Sequence, residues 1–156
     1  MVQTIEVATE LDAPAQSVWA AMQHPVSFLY VCRGLFSVPA LAGRTAPFVE
    51  GESGSGWLFA FGLLPVWRHT IELVAVDAST MTMRSREHGG LLRRWDHTLH
   101  VEPLDESRAR YSDRVDIEAG RLTRTVAWTA VLIYRYRQRR WRRLARKHLS
   151  SALVTT

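Results

Sequence analysis

Cysteine occurs once in this chain, at Cys32. A single thiol excludes an intramolecular disulfide and any metal centre built from several thiolates of the same chain, and it is in keeping with a reducing compartment. Lysine also occurs once, at Lys147, so the basic charge is almost entirely arginine. Long apolar runs are missing. The longest, GWLFAFGLLPVW at 56–67, is twelve residues interrupted by two glycines and a proline, whereas a membrane-spanning helix needs about 20. The opening MVQTIEVATELDAP places Glu6, Glu10 and Asp12 where a secretory signal would be apolar. A soluble, cytoplasmic protein without a transmembrane segment is expected. There is no phosphate-binding glycine loop, no Gly-x-Ser-x-Gly and no recognisable spacing of paired catalytic carboxylates.

What is present is enough for one well-filled domain, taken as 1–156: 156 residues, 47% of them hydrophobic and 22% charged. Ile5, Val7, Thr9 and Leu11 alternate and predict a strand over 3–11. Asp12 and Pro14 open a helix over about 13–24, with a short second helix at 26–33. The stretch 35–56 is weakly patterned. Alternation then resumes: Trp57, Phe59 and Phe61; Trp67, His69, Ile71 and Leu73; Met81 and Met83; Trp95, His97, Leu99 and Val101; Tyr111, Val115 and Ile117. Each set is interleaved with polar residues, which predicts antiparallel strands wet on one face. After Gly120 the period becomes helical. Ala127, Val131, Tyr134, Gln138, Trp141, Ala145 and His148 predict one long helix over about 122–149, leaving a short tail at 150–156.

The net charge of +5 is concentrated in that helix. Without residues 134–148 the chain holds twelve basic groups against fifteen acidic ones. Arg135, Arg139, Arg142 and Arg146 form one ridge on a helix, flanked by Arg140, Arg143 and Lys147, and the macrodipole favours cations near a helix C-terminus. The ridge is either a solvated face or a contact for an anionic surface such as RNA, the ribosome or lipid headgroups. Specific DNA recognition is not expected, because the interleaved aromatics sit at core spacing.

The order strand, two short helices, about six strands and a long helix is an α+β, helix-grip arrangement. In it a curved antiparallel sheet of six or seven strands wraps around the C-terminal helix, with the two short helices between the first two strands. Four segments carry a resemblance: IEVATELDAPAQSVW at 5–19, WDHTLHVEPL at 95–104, YSDRVDIEAG at 111–120 and LIYRYRQRRWRRLA at 132–145. In that order they resemble the START-like (SRPBCC) superfamily, which includes Bet v 1-type proteins, polyketide cyclases/dehydrases and a coenzyme-Q-binding branch. The resemblance implies a deep cavity between sheet and helix, and so a small hydrophobic ligand: a lipid, a polyketide or an isoprenoid-like molecule. It does not fix a reaction.

On the inward parity the polar residues are His69, Glu87, His97 and Asp113. A hairpin loop centred on Asp105 would pair His97 directly with Asp113, with Cβ atoms about 4.5–5.5 Å apart. Such a pair would supply an acid–base unit for a cyclase/dehydrase, or would serve only to satisfy itself in the core. Catalytic candidates are therefore His97 and Asp113. Ligand-lining candidates are Trp57, Phe59, Phe61, Trp67, His69, Met81, Met83, Trp95, Tyr111, Val131 and Tyr134. His69 and His97 lie on strands separated by a third, so no metal site is expected, and no cofactor is called for.

Overall fold

A computed structural model describes residues 1–149; the expected tail at 150–156 lies outside the described residues. The elements follow the order β1 (Gln3–Leu11), α1 (Ala15–Met22), α2 (Pro25–Cys32), β2 (Phe36–Ser37), β3 (Ser53–Ala60), β4 (Leu64–Asp77), β5 (Thr82–Gly89), β6 (Leu92–Pro103), β7 (Ala109–Glu118) and α3 (Thr123–Leu144). A π-helical turn, Ala145–Leu149, prolongs α3 to the end of the helix expected from periodicity. Helix α1 opens at Pro14, with no side-chain cap from Asp12. The weakly patterned 35–56 region supplies the two-residue β2, a 3-10 turn at Pro39–Leu41 and a loop closed by an ion pair between Arg44 and Glu52.

The seven strands make one antiparallel sheet in the order β1-β7-β6-β5-β4-β3-β2. Three irregularities interrupt the ladders, at Leu58/Phe59, Leu73/Ala75 and Glu87/Gly89. Each adds local twist and bend, which curls the sheet toward the helix. At the β5–β6 turn, Gly90 has φ +57°, and a Cβ there would lie 2.7 Å from the Trp67 ring. Only glycine lets this turn close onto β4.

Helix α3 is held at both flanks. Gln138 donates to the Val7 carbonyl of β1 (2.7 Å), while Tyr136 Oη and Arg140 Nε donate to the Arg33 and Tyr30 carbonyls at and after the end of α2 (2.9 and 2.7 Å). At its start, Thr123 Oγ1 accepts from the Ala119 amide and donates to the Gly120 carbonyl. Two apolar clusters result. One gathers α1 and α2 with Tyr111, Trp141 and Leu144, and the other joins Ile5, Val115 and Ile117 to Ala127, Ala130 and Tyr134. No helix among the described residues is long and apolar enough to cross a membrane.

Candidate functional site

A cavity of about 550 Å³ lies between the sheet and α3, within the range typical of small-molecule sites. Its lining runs from exposed Trp57, Leu91 and Thr129 to buried Met83, His97, Leu99 and Trp141. The walls are mainly apolar and aromatic; on the sheet His69, Glu87 and His97 form a polar row, while Arg44, Glu52 and Arg137 stand elsewhere in the lining.

Continued to Asp113, that row crosses four strands. His69 on β4 meets Glu87 on β5 (Nε2–Oε2 2.9 Å), and Glu87 Oε1 lies 3.9 Å from Nδ1 of His97 on β6. His97 Nε2 is 3.0 Å from Oδ1 of Asp113 on β7. None of these pairs is directly opposed in the ladder: the partners in register are Ile71↔Glu87, Ser85↔His97 and Leu99↔Asp113. Each contact is instead the diagonal neighbour, still within reach of long side chains. The expected direct opposition of His97 and Asp113 is therefore corrected by one pairing step, with His97 opposite Val115. The β6–β7 loop centres on Glu106 rather than Asp105, because Asp105 is used inside it, accepting from Ser107 and Arg108.

Every carboxylate oxygen in the row is occupied. Glu87 Oε1 accepts from Ser85 Oγ (2.7 Å) and Oε2 bonds His69. Asp113 Oδ1 accepts from Tyr111 Oη (2.9 Å) as well as bonding His97, and Oδ2 accepts from Gln138 (3.0 Å). Trp67 Nε1 donates to His69 Nδ1, which leaves His69 Nε2 to carry the proton toward Glu87. Burial pushes both carboxyls up. For Glu87 the His69 hydrogen bond and nearby His97 outweigh it, and for Asp113 the His97 hydrogen bond and the Arg137 charge do so. Both are held below their ordinary values and are ionised at neutral pH. Burial, with the Asp113 charge next, raises the Tyr111 hydroxyl, and burial raises that of Tyr134, so both stay protonated; Tyr111 donates to Asp113, while Tyr134 Oη accepts from Trp95 Nε1 (3.3 Å). Among the described residues no three His, Cys, Asp or Glu side chains converge as metal ligands; the row is linear.

Of the residues expected from sequence, Trp67, His69, Met83, Trp95, His97 and Tyr134 line the cavity, and Trp57 contributes at its rim while 54% exposed. Phe59, Phe61, Met81, Tyr111 and Val131 do not line it. On β3 the pairs Gly56↔His69 and Leu58↔Trp67 turn the even positions inward, opposite to the expected parity. Phe61 occupies a turn at φ +54° and is 70% exposed; Met81 occupies the β4–β5 turn at φ +48°. Tyr111 is covered by Trp141, their ring centroids 5.2 Å apart, and Val131 packs on the Ile5–Val115 cluster. Asp113 is fully buried behind His97 and outside the lining.

Gln138, expected on the inner face of the helix, holds the Asp113 carboxylate. Ser85, which holds Glu87, escaped the sequence reading, as did Arg137, which is buried against the cavity although it stands within the basic stretch. The signal for Arg137 is its place on the helical arc 134, 137, 138, 141. Arg135, Arg139, Arg142 and Arg146 are exposed, as the ridge required.

Solved structures share this architecture at low sequence identity. Norcoclaurine synthase from Thalictrum flavum superposes with a TM-score of 0.70 at 11% identity, covering 95% of this chain and 96% of that one. The Zhui aromatase/cyclase from Streptomyces sp. R1128 gives 0.69 at 16% identity, covering 97% and 98%. A START superfamily protein from Mycobacterium smegmatis gives 0.68 at 10% identity, covering 92% and 97%. These likenesses establish the START-like, Bet v 1-like helix-grip fold. No curated protein matches the chain significantly. Residues 9–147 match a family described as a domain of unknown function, DUF8410, and with nearly its whole length inside that match the chain belongs to this family.

Proposed function

We propose that the protein binds a small, largely hydrophobic molecule of lipid, polyketide or isoprenoid type between the sheet and α3. The observation that carries this reading is the aromatic-walled cavity of about 550 Å³ crossed by one buried polar row. The fold supports it: a structure of the similar norcoclaurine synthase is a complex with dopamine and hydroxybenzaldehyde. N-phenyl-1-naphthylamine, a neutral fluorescent probe, tests it. Saturable one-site binding is expected, together with an apolar adduct in native mass spectrometry of the purified protein. Ile133→Trp, which adds volume at a half-buried lining position outside both core clusters, should abolish probe binding while leaving the chain folded. Absence of saturable binding, or binding indifferent to this substitution, would overturn the proposal.

A second reading, a cyclase/dehydrase-type enzyme, is favoured by the His97–Asp113 contact and by likeness to an aromatase/cyclase. Ionised Asp113 holds a proton on His97 Nε2, leaving Nδ1 to take a proton alpha to a ligand ketone and return it to a departing hydroxyl as water. Asp113 does not reach the ligand and acts as a positioning residue. Dehydration of β-hydroxy-ketone thioesters, followed by enone absorbance, should be lost in His97→Gln with probe binding retained. A wild-type protein inert toward such thioesters would refute the enzymatic reading and leave the binding reading intact.

A further inference from the structure

We propose that Arg137 is an anion anchor inside the cavity, and that the occupant is an otherwise apolar molecule bearing a carboxylate. The inference rests on the cavity-binding reading above and deepens it.

Arg137 stands among eight basic residues at 134–148, but its side chain turns inward and is 5% exposed. A guanidinium remains charged in any protein environment, and burying one without a counter-charge is strongly unfavourable. No carboxylate lies within ion-pair distance of it among the described residues, and its Nε has no hydrogen-bond partner. The Asp113 charge is near enough to favour the guanidinium, but neither carboxylate of the polar row hydrogen-bonds it, since their oxygens are taken by His69, Ser85, His97, Tyr111 and Gln138. Its neighbours are rings: it sits over Phe28 at 5.6 Å and over Tyr134 at 5.0 Å. Aromatic faces stabilise and orient the cation, but they give its N–H donors no acceptor.

A second donor points the same way. Trp141 Nε1 is buried without a partner, and Trp141 stands one helical turn from Arg137. Both residues line the cavity. Buried polar groups in folded proteins are almost always satisfied, so two unsatisfied donors on one face of one helix, both at a ligand-sized cavity, mark where an acceptor belongs. A carboxylate matches the guanidinium fork, which binds it through two parallel hydrogen bonds. The remaining apolar wall takes the rest of the molecule.

The test compares cis-parinaric acid with its methyl ester by fluorescence titration, at about 0.15 M salt to screen surface attraction. Wild type should prefer the acid by about tenfold or more. In Arg137→Gln the preference should vanish while ester affinity is kept, and Trp141→Phe should reduce it. Arg143→Gln, a change on the exposed face, should leave it unaltered. Equal wild-type affinities for acid and ester would overturn the anchor and leave the cavity reading standing. Failure of both to bind folded wild type would overturn both. A preference that survives Arg137→Gln, or disappears in Arg143→Gln, would assign it to surface charge and overturn the anchor. Should Arg137→Gln not fold, Arg137→Lys keeps the charge without the fork, and an undiminished preference there overturns the bidentate contact.

Discussion

Asp113→Asn perturbs the polar row with almost no change of shape. The carboxylate is fully buried and accepts from His97 and Tyr111 on one oxygen and from Gln138 on the other. Asparagine keeps one acceptor oxygen and sets an NH₂ group where the second oxygen stood. If its oxygen stays with His97 and Tyr111, its NH₂ faces the Gln138 amide nitrogen, donor against donor. Rotating the Gln138 amide removes that conflict but withdraws the N–H given to the Val7 carbonyl. One buried group is left unpartnered either way. Hydrogen bonds to a charged acceptor contribute roughly 1.5–3 kcal/mol and an unsatisfied buried group costs about 1–3 kcal/mol, partly offset by no longer burying a charge. The expected loss at pH 7 is about 3 kcal/mol, read as a fall in Tm of roughly 6–12 °C for a chain of this size.

The same variant has a pH signature. Burial acts to raise the Asp113 carboxyl, but the His97 hydrogen bond, the Arg137 charge and the Gln138 hydrogen bond hold it below its ordinary 3.8. A group depressed in the folded state stabilises fully above its unfolded value, and that contribution is lost as pH falls through the folded one. Asparagine does not titrate. Urea unfolding of both proteins from pH 7 to pH 3 should therefore show the stability gap narrowing below about pH 4. A gap constant to pH 3, or a variant as stable as wild type at pH 7, contradicts this account of the row.

Burial pushes the Cys32 thiol up to about 11, against the opposing Arg137 charge; with about one thiol in a thousand ionised at pH 8, an aromatic disulfide reagent should label it only on unfolding, and rapid labelling of native protein would refute its placement. Gly90→Ala should destabilise by about 1–3 kcal/mol and alter Trp67 fluorescence, since the new methyl meets that ring; an unchanged Tm counts against the turn geometry. Arg135, Arg139 and Arg142 are exposed, so each changed to Gln should shift stability by no more than about 0.5 kcal/mol. If the ridge docks on an anionic surface, the triple variant should lose affinity for anionic vesicles or RNA in a salt titration; unaltered affinity rules that contact out.

The fold was legible because its signals are local and repeated. Alternation along β1, β4, β6 and β7 sets a burial pattern that the sheet obeys, as in Tyr111, Asp113, Val115 and Ile117, all fully buried. Helical recurrence from Ala127 to Trp141 likewise gave α3 its inner face. On β3 the same logic failed for a physical reason. This strand near the edge begins Ser53-Gly54-Ser55-Gly56, where glycines carry no side chain to declare a face. The inward positions Gly54 and Gly56 are silent and the outward Trp57 is conspicuous. The irregularity at Leu58/Phe59 then makes the parity of Phe59 unreadable from alternation. Met81 failed differently: it follows the alternation in sequence but sits in a turn, one residue outside its strand.

The polar row and the buried arginine mark a second boundary of sequence reasoning. Hairpin parity put His97 and Asp113 on one face, and one face sufficed for contact, because a diagonal neighbour serves a histidine and a carboxylate as well as a direct one. Linking His69 to His97 through Glu87 needs the order of three strands, β4, β5 and β6, which no single hairpin supplies. Arg137 is harder still. Helical spacing puts it beside Tyr134, Gln138 and Trp141, the same residues that define the inner face. Charge, however, assigns an arginine to water unless a counter-ion is named, and no acidic residue occurs anywhere in 122–149. Periodicity and charge therefore give opposite answers at this one position, and the fold follows periodicity. A helix can bury such a group only where something else compensates it, and here the rings of Phe28 and Tyr134 do so in part. The part they leave undone is the hydrogen bonding, on a side chain that lines the cavity. The conflict between the two rules thus falls at the position where a ligand would resolve it, as expected of functional sites, where local consistency is given up for binding.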